Sequence, residues 1–257
     1  MRRPSLGAEV RGRSAVAGET VKTRGIALTV HPWSRTSHVV TWLTPDHGVV
    51  ATIVKGAVRP KSAFLGQYDL FYTCDLIYYA RASGDLHPLR EATPSALRDA
   101  LRGRWRETSI AGYASSLVRD LAPPGAEASD WFDFLETLLD ALAADSPPAP
   151  PAARLVEAEM GILRLAGLAP DFSGMDPNSP WTPFAIDHGR CGSGARTVRV
   201  TPSAVAALAS PSSYYGDYES LADAVRFLGH FLAYHLDTPP DVRRSLVQAV
   251  MPGRPAT

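Results

Sequence analysis

Between Lys55 and Ser62 the chain reads Lys-Gly-Ala-Val-Arg-Pro-Lys-Ser, so three cations and a hydroxyl fall within eight residues, directly after a β-branched run. Ammonium and guanidinium groups on such a loop can contact successive phosphates of a polyanion, and a serine hydroxyl can add a hydrogen bond to a phosphate oxygen. Gly56 and Pro60 shape the loop that carries them. A solvated basic turn without a ligand reads the same from these residues alone. The flanking runs favour nucleic acid: they hold Trp33, Trp42, Tyr68, Phe71, Tyr72, Tyr78 and Tyr79, with Arg35 among them. Most of these rings must fill a small core, and one or two left exposed would stack on bases, each contributing about 1–3 kcal/mol.

Little else in the chain is spaced for chemistry. His230 and His235 are five apart on an expected helix, too far round it for the i, i+4 pairing that chelates a metal on one face. His31, His38 and His47 have no cysteine, serine or acidic partner at a motif spacing. No nucleophile elbow, Walker A loop or dinucleotide-binding glycine pattern occurs. A nuclease would need clustered carboxylates for metal ions, and the basic part of the chain lacks such a cluster. The chain therefore reads as a binding protein and not an enzyme, with two alternatives: a DNA-binding protein, or a protein-interaction module without DNA affinity.

The elements that must position the basic loop are short. Ile26 to Val30, His38 to Leu43 and Val49 to Val54 read as three strands of a meander, separated by Pro32, Ser34 and the Pro45-Asp46-His47-Gly48 turn. A fourth run from Tyr68 to Tyr79 is turned by Gly84-Asp85 into a fifth at Leu86 to Ala92. After Pro94 the period becomes helical, with Ser95 as the expected cap of a segment holding Leu97, Leu101, Trp105 and Ile110. Further helices are expected from Ser129 or Asp130, from Pro151 to Leu168, and in Ser203 to Leu208, Tyr218 to Leu236 and Asp241 to Met251. The whole is α+β: a tail over residues 1–20, a five-stranded barrel over 21–94 and a mainly helical domain over 95–257 with a loop-rich insertion at 170–200. An OB-fold and an SH3-like barrel both satisfy the strand pattern.

Charge also divides along the chain, a little beyond that boundary. The chain of 257 residues is neutral overall, yet residues 1–106 hold 16 Lys and Arg against 8 Asp and Glu, and residues 107–257 hold 10 against 18. A basic unit invites a polyanion, and an acidic one suits protein contacts. Arginines at 2, 3, 11 and 13 precede no apolar stretch, and nothing approaches the length of a membrane span. Cys74 and Cys191 are the two cysteines and lie far apart, so no disulfide framework is expected and a reducing cytoplasm fits.

In order along the chain, Arg24-Gly25, Pro32-Trp33, Ser37 to Thr44, His47-Gly48, Lys55-Gly56-Ala57, Arg59-Pro60-Lys61-Ser62, Leu65-Gly66 and Leu70-Phe71 resemble the DNA repair protein RecO family. The likeness continues more weakly through Leu155 to Asp171 and Phe227 to Leu246. It implies an OB-fold joined to a helical domain and a cytoplasmic, nucleoid-associated protein. The implied activities are binding of single- and double-stranded DNA, annealing of complementary strands and loading of RecA together with RecR. Binding of the C-terminal tail of the single-strand-binding protein is implied as well.

On this reading Lys55, Arg59, Lys61, Ser62, Arg35 and Arg24 contact DNA. A cation among Arg119, Arg154, Arg243 and Arg244 stands at the rim of a groove for the partner's tail, with the apolar helix from Trp131 to Leu142 as a possible wall. Two departures from the family pattern stand out. Many members carry four cysteines in the region of Asp171 to Gly194, forming a zinc site, and only Cys191 is present here. A mixed site using His188 with Asp171, Asp176 or Asp187 is conceivable; the expectation is a metal-free loop and no cofactor. The second departure is Ser34-Arg35, where the family usually has a glycine and an acidic residue.

Overall fold

Apolar and polar residues alternate through the early part of the chain, and this period of two builds β1 (Glu19–Ser34), β2 (Ser37–Thr44), β3 (Gly48–Val54), β4 (Thr73–Ala80) and β5 (Leu86–Ala96). The computed structural model describes residues 19–81, 85–144, 149–214, 217–236 and 240–251. Most of the expected tail, residues 1–18, and Gly84 of the expected turn lie outside the described residues. The strands close into a barrel in the order β1-β2-β3-β5-β4, with β3 and β5 parallel and β4 returning to β1. This closed five-stranded ring is the OB-fold, one of the two barrels the periodicity allowed.

Two strands differ from their expected extents. β1 has 16 residues because its first half pairs with β4, from Glu19↔Ala80 to Ile26↔Thr73, and its second half with β2. Register shifts at Leu28 and Trp33 bend it between these tasks, and the first delivers Leu28 to the core shared with the helices. β4 begins at Thr73 and not near Tyr68, because Phe71 adopts a left-handed conformation (φ 68) at the end of a turn in which the Tyr72 amide donates to the Asp69 carbonyl (3.2 Å). Reciprocal bonds from Phe71 to Ala27 (2.9 Å) and from Ala27 to Tyr72 (3.0 Å) hold that unusual backbone in place.

At the carboxyl end of the barrel, β5 runs through Pro94 to Ala96. A register shift opposite Thr73 and Cys74 accommodates the proline, and Ser95 donates its hydroxyl to the Thr73 carbonyl (3.1 Å) instead of capping a helix. A 3-10 turn over Asp99–Gly103 follows, then α1 (Trp105–Leu121), α2 (Ser129–Ala143) and α3 (Pro151–Leu165). The segment expected to be loop contains β6 (Thr182–Ala185), β7 (Arg190–Cys191) and β8 (Thr197–Val200), a sheet in the order β7-β6-β8. Strands of two to four residues are too short to express a period; the residues of β8, Thr197 to Val200, show only a short apolar alternation at the end of the loop-rich insertion. Helices α4 (Pro202–Ala209), α5 (Tyr218–His235) and α6 (Pro240–Val250) complete the unit.

Barrel and helices share one core, in which Ile26, Leu28, Leu43 and Phe71 pack with Ile110, Leu135 and Leu139. Main-chain bonds stitch the β2–β3 turn to the α1–α2 connection: Ala128 to Pro45 (2.7 Å), Gly125 to His47 (3.0 Å) and Val49 to Pro123 (3.4 Å). Gly48 sits in this seam at φ 58, where an added Cβ would lie 1.8 Å from the Pro123 carbonyl oxygen. Only glycine permits both that backbone and that approach. At the centre of the helical unit Glu159, fully buried on α3, takes two bonds from Arg243 of α6 (2.6 and 2.8 Å) and one from the Tyr113 hydroxyl of α1 (3.0 Å).

Candidate nucleic-acid interface

The basic segment lies in the connection between β3 and β4, a succession of turns whose two sides differ. Its inner side plugs the barrel: Ala57 is buried, and Phe64 and Tyr68 pack against the barrel core around Trp42. Tyr68 is fixed further by a hydrogen bond between its hydroxyl and His38 Nδ1 on β2 (2.9 Å), and burial pushes its pKa up to about 12. The outer side presents Lys55, Val58, Arg59, Pro60 and Lys61 to solvent. Gly56 makes the first turn possible at φ 72, accepting from the Arg59 amide (3.1 Å), and the Arg59 carbonyl accepts from Ser62 (2.9 Å). The Ser62 hydroxyl accepts from the Phe64 amide (3.2 Å) and keeps its own proton free to donate.

Strand register brings Arg35 to the same end of the barrel. His38 of β2 pairs with Pro32 on one side and with Val54 on the other, so the β1–β2 tip and the start of the basic loop flank the same residue. The backbones of Pro32 and Val54 are therefore two strand spacings apart, about 10 Å. Arg35, Lys55, Arg59 and Lys61 are all exposed, and none forms an ion pair among the described residues.

Arg24 is placed differently from the other expected DNA contacts. Its guanidinium bonds Glu136 of α2 (2.6 Å) and lies over the Phe132 ring (5.0 Å), so it fastens the barrel to the helices. Arg98, with its side chain buried, reinforces the fastening through Asp140 (2.7 Å) and the Phe71 carbonyl (2.8 Å). Arg102 is likewise taken up, by Asp69 and Asp99.

The four arginines among which a groove-rim cation was expected are scattered. Arg243 is inside, on Glu159, and Arg154 is nearly covered and bonded to Glu157 (2.6 Å). Arg119 is half-exposed beside Asp120 (2.8 Å), and Arg244 is exposed on α6. A groove the sequence did not single out lies between β8 and α5, a cavity of about 410 Å³. Val198, Val200, Ala204 and Phe227 supply apolar walls, with Arg199 and the Arg226–Asp223 ion pair (2.7 Å) alongside. The only trace of it in the sequence is a cation in the β8 alternation at Arg199.

Asp171, His188 and Cys191 line one cavity of about 480 Å³. Asp171 accepts from the Ser173 amide (2.9 Å) and Asp187 from the Ala195 amide (2.9 Å); these bonds hold both carboxyls below their ordinary range. Burial, then the charge of Asp171, pushes the Cys191 thiol up. Among the described residues no group of three or more histidine, cysteine, aspartate or glutamate side chains could share an ion. Nor is any described helix long and apolar enough to cross a membrane.

Two family models match this chain: Recombination protein O N terminal over residues 19–98 and Recombination protein O C terminal over residues 102–244. Among similar proteins, the DNA repair protein RecO of Anaeromyxobacter sp. (strain K) is 34% identical over 152 residues, 59% of each chain. The DNA repair protein RecO of Dinoroseobacter shibae is 28% identical over 248 residues, 91% of this chain and 98% of that one. That of Gloeobacter violaceus is 30% identical over 159 residues, and there, as with the Anaeromyxobacter protein, the match spans 59% of the relative's length. The two models meet where the barrel gives way to the helices, and together they cover both units described above: the chain belongs to the recombination protein O family.

Proposed function

We propose that this protein is a non-enzymatic mediator of DNA repair and recombination that binds single-stranded DNA, and more generally the phosphate backbone of single- or double-stranded DNA, at the end of the barrel where the β1–β2 tip meets the β3–β4 connection. Lys55, Arg59, Lys61 and Arg35 contact phosphates, and the Ser62 hydroxyl donates to a phosphate oxygen. One observation carries this reading. The cations gathered at this end have no carboxylate partners among the described residues, whereas Arg24, Arg98 and Arg102 are each engaged by one. Cations left unpaired together are the electrostatic footprint expected of a phosphate-binding face. Arg24 then contributes by holding the barrel against α2, with its half-exposed guanidinium at most a secondary phosphate contact.

Annealing of complementary strands and loading of RecA together with RecR are the activities we assign to this binding, in the cytoplasm at the nucleoid. The groove between β8 and α5 suits an acidic peptide ending in an apolar residue, such as the C-terminal tail of the single-strand-binding protein: its walls are apolar and Arg199 stands beside it, whereas Arg226 is held by Asp223 of the same groove (2.7 Å).

The test is annealing of two labelled complementary oligonucleotides, and binding of each alone, by the full chain and by a Lys55→Ala/Arg59→Ala/Lys61→Ala variant. Binding and annealing by the former and their joint loss in the latter are expected. A chain that binds neither strand at low salt would leave a protein-interaction module as the better reading.

A further inference from the structure

Trp33 is the most exposed of the large apolar side chains described, at 64%. It is there because the register of β1 against β2 slips: Pro32 pairs with His38 and Ser34 with Ser37, leaving Trp33 as the extra residue of a bulge. A bulge frees one side chain from the alternation of the strand and re-aims it. The tip is kept in shape by Pro32, whose φ is fixed by its ring, and by Ser34, whose hydroxyl accepts from the Thr36 amide (3.4 Å).

The other exposed tryptophans have an occupied face. Arg106 lies 4.7 Å from the Trp105 ring and Arg199 lies 4.5 Å from the Trp181 ring. No described residue stacks on Trp33 or places a cation over it. An indole with free faces, raised on a bulge and followed two residues later by the unpaired Arg35, stands about two strand spacings across the sheet from Lys55. Exposing so large an apolar surface is unfavourable in water, and covering it with a flat apolar group whose attached phosphate meets Arg35 or Lys55 relieves that cost.

We propose that Trp33 is a base-stacking platform: one unpaired base of a single strand lies on the indole while its neighbouring phosphates are held by Arg35 and the β3–β4 loop. This inference rests on the DNA-binding reading above and adds to it a preference for unpaired bases, because a base inside a duplex has no face to offer.

The experiment compares wild type, Trp33→Ala and Trp33→Phe on three labelled ligands: a mixed-sequence single strand, the same strand with abasic sites throughout its centre, and the duplex. The expected result is that Trp33→Ala weakens binding of the normal strand roughly five- to hundredfold. Its salt dependence should stay unchanged, with little loss on the abasic strand or the duplex, and Trp33→Phe should recover most of the affinity. Salt-sensitive binding by Trp33→Ala as tight as wild type, or an equal loss on normal and abasic strands, would overturn the stacking role while leaving the basic loop as the DNA contact. Failure of the wild-type chain to bind any of the three would overturn both.

Discussion

If the basic loop holds phosphates, salt should reveal how many. Each phosphate neutralised on a single strand adds about −0.7 to the slope of log K against log salt concentration. Arg35, Lys55, Arg59 and Lys61 are cations at one end of the barrel that have no ion-pair partner among the described residues. With one phosphate each, the slope is about −2.8, so raising salt fourfold, from about 50 to about 200 mM, should weaken binding roughly fiftyfold. Replacing Lys55, Arg59 and Lys61 by alanine leaves one contact, a slope of about −0.7 and a loss of only about 2.6-fold over the same range. The three side chains are exposed, and the loop is anchored from within by Ala57, Phe64 and Tyr68, so the variant should fold as the parent does. Ser62→Ala is the internal control: it carries no charge, so it should lower affinity alike at every salt concentration and leave the slope alone. Fluorescence anisotropy of a labelled single strand across a salt series measures all of these. A triple variant whose slope equals that of wild type would refute the assignment, as would single replacements of Lys55, Arg59 or Lys61 that lose affinity without changing the slope.

Three predictions concern the scaffold. Gly48→Ala should cost about 3 kcal/mol or more, because the residue needs a left-handed backbone and its new Cβ would strike the Pro123 carbonyl; a fall in Tm of roughly 6–12 °C is expected in a thermal melt. Glu159→Gln should cost about 3–5 kcal/mol in denaturant unfolding by stranding the Arg243 guanidinium, whereas Glu159→Leu with Arg243→Met should recover much of that; equal losses would show that the ion pair itself is stabilising. The Arg81 amide donates to Nδ1 of His87 (3.1 Å), which needs an unprotonated ring, and burial followed by the charge of Arg81 lowers this histidine below its ordinary 6.5. The stability it contributes is present above pH 6.5 and lost as pH falls through the lowered value, so His87→Gln should flatten the stability profile in a series taken downward from neutral pH.

The alternation of β-branched residues, the change to helical spacing after Pro94 and the cation cluster at Lys55 to Ser62 are local patterns, and a local pattern is legible without a fold. They were enough for an α+β order of elements and for a basic loop at the end of a strand. They did not distinguish one barrel from another, since that turns on β3 lying parallel to β5 and on β4 returning to β1, pairings between residues distant in the chain. Nor could they show β6 and β7, which are too short to have a period.

Which arginines are free to meet a ligand was likewise hidden. Arg24 and Arg243 look no different from Arg35 in the sequence, and they become structural only because Glu136 and Glu159, more than eighty residues away in each case, fold against them. Trp33 and Trp42 belong to neighbouring strands of one hairpin, yet the first is bare on a bulge and the second is sealed in the barrel, bonded to Thr52 (2.8 Å). Residue type and spacing determined what chemistry was present; tertiary structure decided which of those groups remained available, because burial and pairing with a distant opposite charge are properties of the packed chain and not of any segment of it.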